Sequence, residues 1–240
     1  MIISEDQTVA EVVTENIKTA DVFKKHGIDF CCGGGISIEK ACSKNGVEYS
    51  VLESELNAID STVSRSYNFD SWDLAFLIDH IKNVHHTYVE ESIPILLQYA
   101  EKVANVHGHH YKEVVEIYHM FVEVSQELTA HMKKEELILF PYVKQLVKAK
   151  KKGESPKPAH FGTVNNPISM MEDEHENAGD IFKEISKLSN NFTPPAEACN
   201  TFKALYAKLQ EFEQDLHQHI HLENNILFPK AILLEKKNKQ

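Results

Sequence analysis

No run of apolar residues in this 240-residue chain approaches the ~18 that a membrane-spanning helix needs. Its first residues, MIISEDQTVAEVV, have neither the basic start nor the apolar stretch of an export leader. A soluble, cytoplasmic protein with no membrane partner is the expectation. Basic charge is scarce as well: 25 Lys and Arg stand against 36 Asp and Glu, a formal net charge of -11. A chain of that sign lacks the footprint that neutralises phosphates, which argues against nucleic acid as a partner. Cysteine is sparse, and four thiols in an intracellular chain exclude a disulfide framework in favour of free thiols or thiol chemistry. No flavin or nicotinamide motif is present to supply a reductant. What the chain does have in excess is histidine, 14 in all, which directs attention to metal.

This length accommodates one domain or two unequal ones, and the punctuation favours two. Residues 1–62 read as short helical segments broken by glycine, one opening at Thr8 and another running from Thr19 to His26. The stretch from Gly27 to Gly35 follows, then more helix, and nothing there alternates as a strand does. From residue 68 to 240 the pattern changes to four long helical segments, roughly 71–105, 110–150, 165–190 and 196–236. Gly108, the proline-containing stretch 148–162 and Asn190-Asn-Phe-Thr-Pro-Pro195 separate them. Short connections make neighbours antiparallel, so the expected fold is all-α, an up-down four-helix bundle preceded by a small helical domain. Pro94 is expected to kink the first long helix.

An internal repeat carries the functional reading. Residues 131–141 and 219–229 both read H-x3-E-x2-I-L-F-P, each in the second helix of a helix pair. Residues four apart share a helix face, so His131 with Glu135, and His219 with Glu223, each present an imidazole and a carboxylate to one spot. The first helices contribute His175 in one pair and His85 or His86 in the other. An isolated His/Glu pair at this spacing more often marks a solvated polar face, but a repeated pair with matched flanks does not. Carboxylates buried in an apolar bundle need protons, ion pairs or metal, and metal satisfies all six groups together. Six ligands exceed the three that one catalytic zinc uses, so two ions are expected. If both glutamates bridge, each ion receives two nitrogens and two carboxylate oxygens. An oxo or hydroxo bridge then still leaves a position open for NO, O2 or peroxide. Nitrogen and oxygen donors without thiolate suit iron, with manganese or zinc as substitutes.

Other residues compete for these roles. Counting turns from Ile81 favours His85, whereas the spacing within the repeat favours His86. His217 and His221 also stand four apart, on a different face from His219. His107, at the end of the first long helix, could lie near the site, while His80, His109, His110 and His119 read as surface or core. Leu137, Leu139 and Phe140 read as core, and Cys42 and Cys199 as packing residues. The adjacent Cys31 and Cys32 are strained as a permanent disulfide. If Gly33 to Gly35 lead into a helix, free N–H groups would lower the thiol pKa and make the pair nucleophilic, nitrosatable or able to hold iron transiently; the alternative is a buried apolar pair beside a flexible turn.

Together these motifs resemble the iron-sulfur cluster repair di-iron (RIC) family. The resemblance spans nearly the whole chain: Val22-Phe-Lys-Lys-His-Gly-Ile-Asp-Phe-Cys-Cys-Gly-Gly, Ile78-Asp-His-Ile81, Val103-Ala-Asn-Val-His107, both H-x3-E-x2-I-L-F-P copies, Pro167-Ile-Ser-Met-Met-Glu-Asp-Glu-His175 and Asn191-Phe-Thr-Pro-Pro-Ala-Glu-Ala-Cys199. It implies a hemerythrin-like bundle and selects His86, whose position eight residues before Pro94 matches the family's first ligand. The other ligands it implies are His131, Glu135, His175, His219 and Glu223. It further implies a cytoplasmic, homodimeric stress protein that restores iron-sulfur clusters damaged by nitric oxide or peroxide, with Cys31 and Cys32 contributing. The sequence departs from the family at His85 and in a longer, more basic linker from Lys148 to Gly162. Iron donation to damaged iron-sulfur proteins ranks first among the functions this implies. NO reduction at the di-iron centre is second, and a hemerythrin-like module that binds or senses O2 or NO is third.

Overall fold

The structure is a computed structural model that describes residues 3–59 and 68–238. The expected domain boundary at residues 62–68 lies outside the described residues but for Asn68. Four short helices form the N-terminal part: α1 (Val9–Glu15), α2 (Thr19–Lys25), α3 (Ile38–Asn45) and α4 (Tyr49–Asn57). α1 begins where Thr8 and Glu11 complete a capping box, the Thr8 hydroxyl accepting from the Glu11 N–H and the Glu11 carboxylate from the Thr8 N–H. α3 starts at a Ser37 cap and stops at Gly46, whose φ of 65° an L side chain rarely adopts. Among the described residues there is no strand, only isolated bridges pairing Thr8 with Ser37 and Ala159 with Gly162.

The rest is the four-helix bundle. Its first helix comprises α5 (Leu74–His80), a π-turn (Ile81–His86) and α6 (Thr87–His107). The second comprises α7 (Glu113–Lys134), a π-turn (Glu135–Leu139) and α8 (Phe140–Lys152). The third is α9 (Asn165–Leu188), and the fourth comprises α10 (Asn200–Leu222), a π-turn (Glu223–Leu227) and α11 (Phe228–Asn238). Pro94 sits inside α6 without ending it. The tight turn after α6 requires Gly108, since a Cβ there would stand 2.4 Å from the Ala104 carbonyl oxygen. The turn after α9 places Asn190, Asn191 and Phe192 all at positive φ, the last anchored by its buried ring and an N–H donated to Ser189 Oγ.

Two buried apolar clusters fill the bundle. One combines Val89, Leu128, Met132, Ala178, Leu216 and Ile220 with the N-terminal helices, including Val9, Phe23, Ile38 and Leu52. The other contains Ile81, Leu139, Phe140, Met171, Leu222 and Phe228. The N-terminal part thus shares a core with one half of the bundle. Along every one of the four helices the expected metal ligand falls between a residue of one cluster and a residue of the other, so the polar groups form a seam across the bundle interior.

Candidate metal centre

His86, His131, Glu135, His175, His219 and Glu223 are all buried, and the two glutamates have no exposure at all. They form two groups, His86, Glu135, His219 and Glu223 in one and His131, Glu135, His175 and Glu223 in the other. Within each group the candidate ligand atoms lie within 4.8 Å of one another, and both groups use both glutamates. Glu135 Oε2 stands 3.3 Å from the Nε2 atoms of His86 and His131. The Glu223 oxygens stand 3.2 Å from the Nε2 atoms of His175 and His219. The Nε2 atoms of His131 and His175 are 3.0 Å apart.

The histidines are oriented from outside. His86 Nδ1 donates to Glu136 Oε1 at 3.0 Å, His131 Nδ1 to Glu174 Oε2 at 2.8 Å, and His175 Nδ1 to Asn224 Oδ1 at 2.8 Å. These acceptors hold a proton on Nδ1 and turn Nε2 inward. Glu136 and Asn224 each follow the repeated glutamate by one residue, so the repeat extends to these supporting groups. Sequence reasoning missed them, although that shared position is a signal. Glu174, next to His175, pairs with His131 and Lys134, which together hold its carboxyl down at about 2.

The electrostatics are those of a site built for cations. Burial is the largest influence on His86, His131, Glu135, His219 and Glu223 and opposes the charge of each. Against it, Glu135, Glu174 and Glu223 hold the His131 imidazole up at about 10. His219 and His175 hold the Glu223 carboxyl well below the ordinary carboxylate range. At His219 burial wins and pushes the imidazole down. Both oxygens of Glu135 and of Glu223, with the Nε2 atoms of His86 and His219, are buried without a hydrogen bond despite the short distances above. The groups converge on shared points instead of aligning donor to acceptor. Unsatisfied buried charge of this kind is costly, and iron fits the donor set because it accepts imidazole nitrogen and carboxylate oxygen together.

The π-turns explain how the ligands reach the seam. Glu135 opens one and Glu223 another, each with a proline, Pro141 or Pro229, just beyond it. Proline offers no N–H to the helical ladder, which is where an i→i+5 turn is tolerated. His86 closes the third π-turn. The extra residue in that turn brings both His85 and His86 inside, which a count at α-helical spacing from Ile81 cannot do. His85 lies outside both ligand groups. Its Nδ1 donates to Asp215 at 2.9 Å and its ring stacks on His219 with centroids 5.5 Å apart.

Several expectations need correction. Leu137 is 74% exposed, not core, while Leu139 and Phe140 are buried. The π-turn rotates Leu137 outward. His107 is at the far end of α6, where its Nε2 meets Cys199 Sγ at 3.3 Å, about 30 Å along the helix from His86. Cys199 is exposed at the cap of α10 and does not pack. Cys42 is buried, as expected of a packing residue.

Cys31 and Cys32 are free thiols with sulfurs 3.9 Å apart. The glycines do not lead straight into a helix, since Ser37 caps α3. The N–H groups of Cys31, Cys32 and Gly33 donate instead to the Asp29 carboxylate at 2.9–3.1 Å. Contact with Cys32, burial and the charge of Asp29 push the Cys31 thiol well up, the opposite of the expected activation. Gly34 is required here, because a Cβ would stand 2.3 Å from the Phe30 carbonyl oxygen. Beneath the loop, Phe30 packs edge-on to His217 with centroids 5.8 Å apart and lies against His221, which gives those two histidines a role in seating the N-terminal part.

Two parts of the chain match separate family models. Residues 5–60 match ScdA_N, described as a domain of unknown function, and residues 77–231 match the hemerythrin HHE cation binding domain. The chain is 35% identical over 228 residues to a "probable iron-sulfur cluster repair protein" of Haemophilus influenzae, covering 94% of this chain and 96% of that protein. It is 36% identical over 231 residues to the iron-sulfur cluster repair protein YtfE of Cronobacter sakazakii, covering 96% and 98%. It is also 36% identical over 228 residues to YtfE of an Escherichia coli strain, covering 95% and 97%. With both domain types present and the alignment running nearly end to end, the chain belongs to the iron-sulfur cluster repair protein family.

Proposed function

We propose that this chain is a di-iron protein that restores iron-sulfur clusters damaged by nitrosative or oxidative stress, acting as an iron donor to the damaged protein. The observation that carries this reading is the pair of His2Glu2 groups that share Glu135 and Glu223 in a buried interior. The names of the relatives point the same way. In this reading His86 and His219 would hold one ion and His131 and His175 the other, with Glu135 and Glu223 available to both and an oxo or hydroxo bridge expected between the ions. The bound iron supplies a transferable metal and a coordination position for NO, O2 or peroxide.

The chain's own residues set how readily iron leaves. Glu136, Glu174 and Asn224 orient three imidazoles, and the same lone pairs that bind iron accept protons, so acid competes with metal. The cysteine loop is tied to the Glu223 π-turn through Asn225, which supports a contribution of Cys31 and Cys32 to transfer. The raised pKa of Cys31 counts against attack on a substrate by that thiol. Residues 1–62 and 68–240 serve as the two domains in this account, working in the cytoplasm as a homodimer. The test mixes iron-loaded protein with a cluster-stripped iron-sulfur enzyme. Loss of iron from the donor with recovery of the enzyme supports donation. Iron that stays bound while the enzyme remains inactive refutes it.

A further inference from the structure

A second surface, lined by none of the six candidate ligands, has a distinct chemistry. The chain as a whole is strongly acidic, yet residues 148–157 hold five lysines against one glutamate. The end of α8 meets α11 and the start of α5 around a groove of about 460 Å³. Leu74, Val147 and Leu234 form an aliphatic floor, and Lys150, Lys151, Lys230 and Lys237 stand among its lining. Lys151 pairs with Asp73 at 2.9 Å and Lys230 with Asp70 at 2.8 Å. Lys150 and Lys237 are exposed and have no acidic partner among the described residues. Leu233, 54% exposed, also opens into the groove. Lysines near a helix C-terminus complement its dipole, but that accounts neither for the cavity nor for an exposed leucine between the charges.

We infer that this groove docks an acidic amphipathic segment of a partner protein, apolar side chains seated on the aliphatic floor and carboxylates meeting Lys150 and Lys237. Charge complementarity selects the occupant. Unpaired lysines on an acidic chain draw a negative partner to one place and repel it elsewhere, and an apolar floor between them matches one face of an amphipathic helix. A nucleic acid fits less well, since the lining offers no aromatic ring for stacking and no arginine for base edges. A membrane fits less well because the surface is concave and has only Leu233 to insert. The inference is independent of the repair reading and holds or fails without iron.

The test uses the full chain and a fluorescent peptide with leucines at helical spacing and glutamates on the flanks of that face. Phosphatidylglycerol vesicles and a short DNA duplex are the comparison probes. Lys150→Glu with Lys237→Glu is expected to weaken peptide binding roughly tenfold, with Lys150→Gln and Lys237→Gln in between. The same binding is expected to fall with added salt. Lys183→Glu with Lys203→Glu, on other helices, is expected to leave it unchanged. The inference is overturned if the peptide does not bind, if the charge reversal leaves binding intact while the fold is retained, or if the vesicle or duplex binds more tightly than the peptide.

Discussion

The side-chain amide of Asn225 donates to the backbone carbonyl of Cys31 at 3.1 Å, and Asn225 stands two residues after Glu223 in the same π-turn. The turn that presents a candidate bridging carboxylate thus also grips the cysteine loop of the N-terminal part. Asn225 further meets His221 Nδ1 at 3.1 Å, and His221 Nε2 meets Thr14 Oγ1 at 3.3 Å, so the grip extends to α1. In the other copy of the repeat the equivalent residue is Leu137, which faces solvent. The N-terminal part covers one side of the pseudo-twofold bundle, and two differences between the copies, Asn225 for Leu137 and His221 for Lys133, record it.

Asn225→Ala removes that grip without touching a candidate ligand. A net hydrogen-bond contribution of about 1 kcal/mol corresponds to roughly fivefold faster alkylation of Cys31 and Cys32. Iron content is expected to stay at the wild-type value. Unchanged labelling would mean that packing of Phe30 on His217 holds the loop by itself.

Lys24 pairs with Glu213, a buried carboxylate of α10, and so pins α2 to the bundle. Lys24→Ala leaves that carboxylate without its partner. The expected loss is about 2 kcal/mol in urea unfolding, below the usual cost for a fully buried pair because the lysine side chain is 34% exposed. Lys24→Met with Glu213→Leu is expected to recover most of it, and the double-mutant cycle isolates the pair.

Glu213 also gives a pH dependence of defined sign. Burial raises its pKa in the folded protein, with Lys24 opposing. A carboxyl whose folded pKa is raised favours folding below its unfolded pKa and loses that contribution as pH rises through the folded value. Glu213→Gln is therefore expected to gain stability relative to the wild type as pH rises above about 4, read from paired thermal melts. A difference that shrinks with rising pH would show that the ion pair outweighs burial.

The helices, and the convergence of six buried His and Glu side chains, were legible in the sequence for identifiable reasons. Glycine and proline punctuate the long segments near where they end, and two copies of one motif lend each other support that a lone His/Glu pair lacks. The π-turns were not legible, because an i→i+5 step changes hydrogen bonding without changing composition. They account for both the exposure of Leu137 and the burial of His85 beside His86. Nor was the seating of the N-terminal part: Lys24 with Glu213, and Phe30 with His217, meet across long stretches of chain with no periodic signal. Nor was the setting of the thiols legible, because Asp29, not the sulfurs, receives the loop N–H groups.

The supporting groups make a prediction that separates ligands from neighbours. Glu136→Gln and Glu174→Gln are each expected to weaken iron binding by about 10- to 100-fold, in a chelator competition. His85→Asn, which keeps a partner for Asp215, is expected to retain the full iron content. His86→Asn is expected to lose one ion. Loss of iron in the His85 variant alone would reassign the ligand.

The central claim is a two-metal site shared by Glu135 and Glu223. Metal analysis with visible absorption, on the full chain loaded with iron and on Glu135→Ala and Glu223→Ala, tests it most directly. The account predicts about two irons per chain with the absorption of an oxo-bridged pair, and loss of that absorption in either variant. One iron per chain, or a spectrum unchanged by both substitutions, would contradict it.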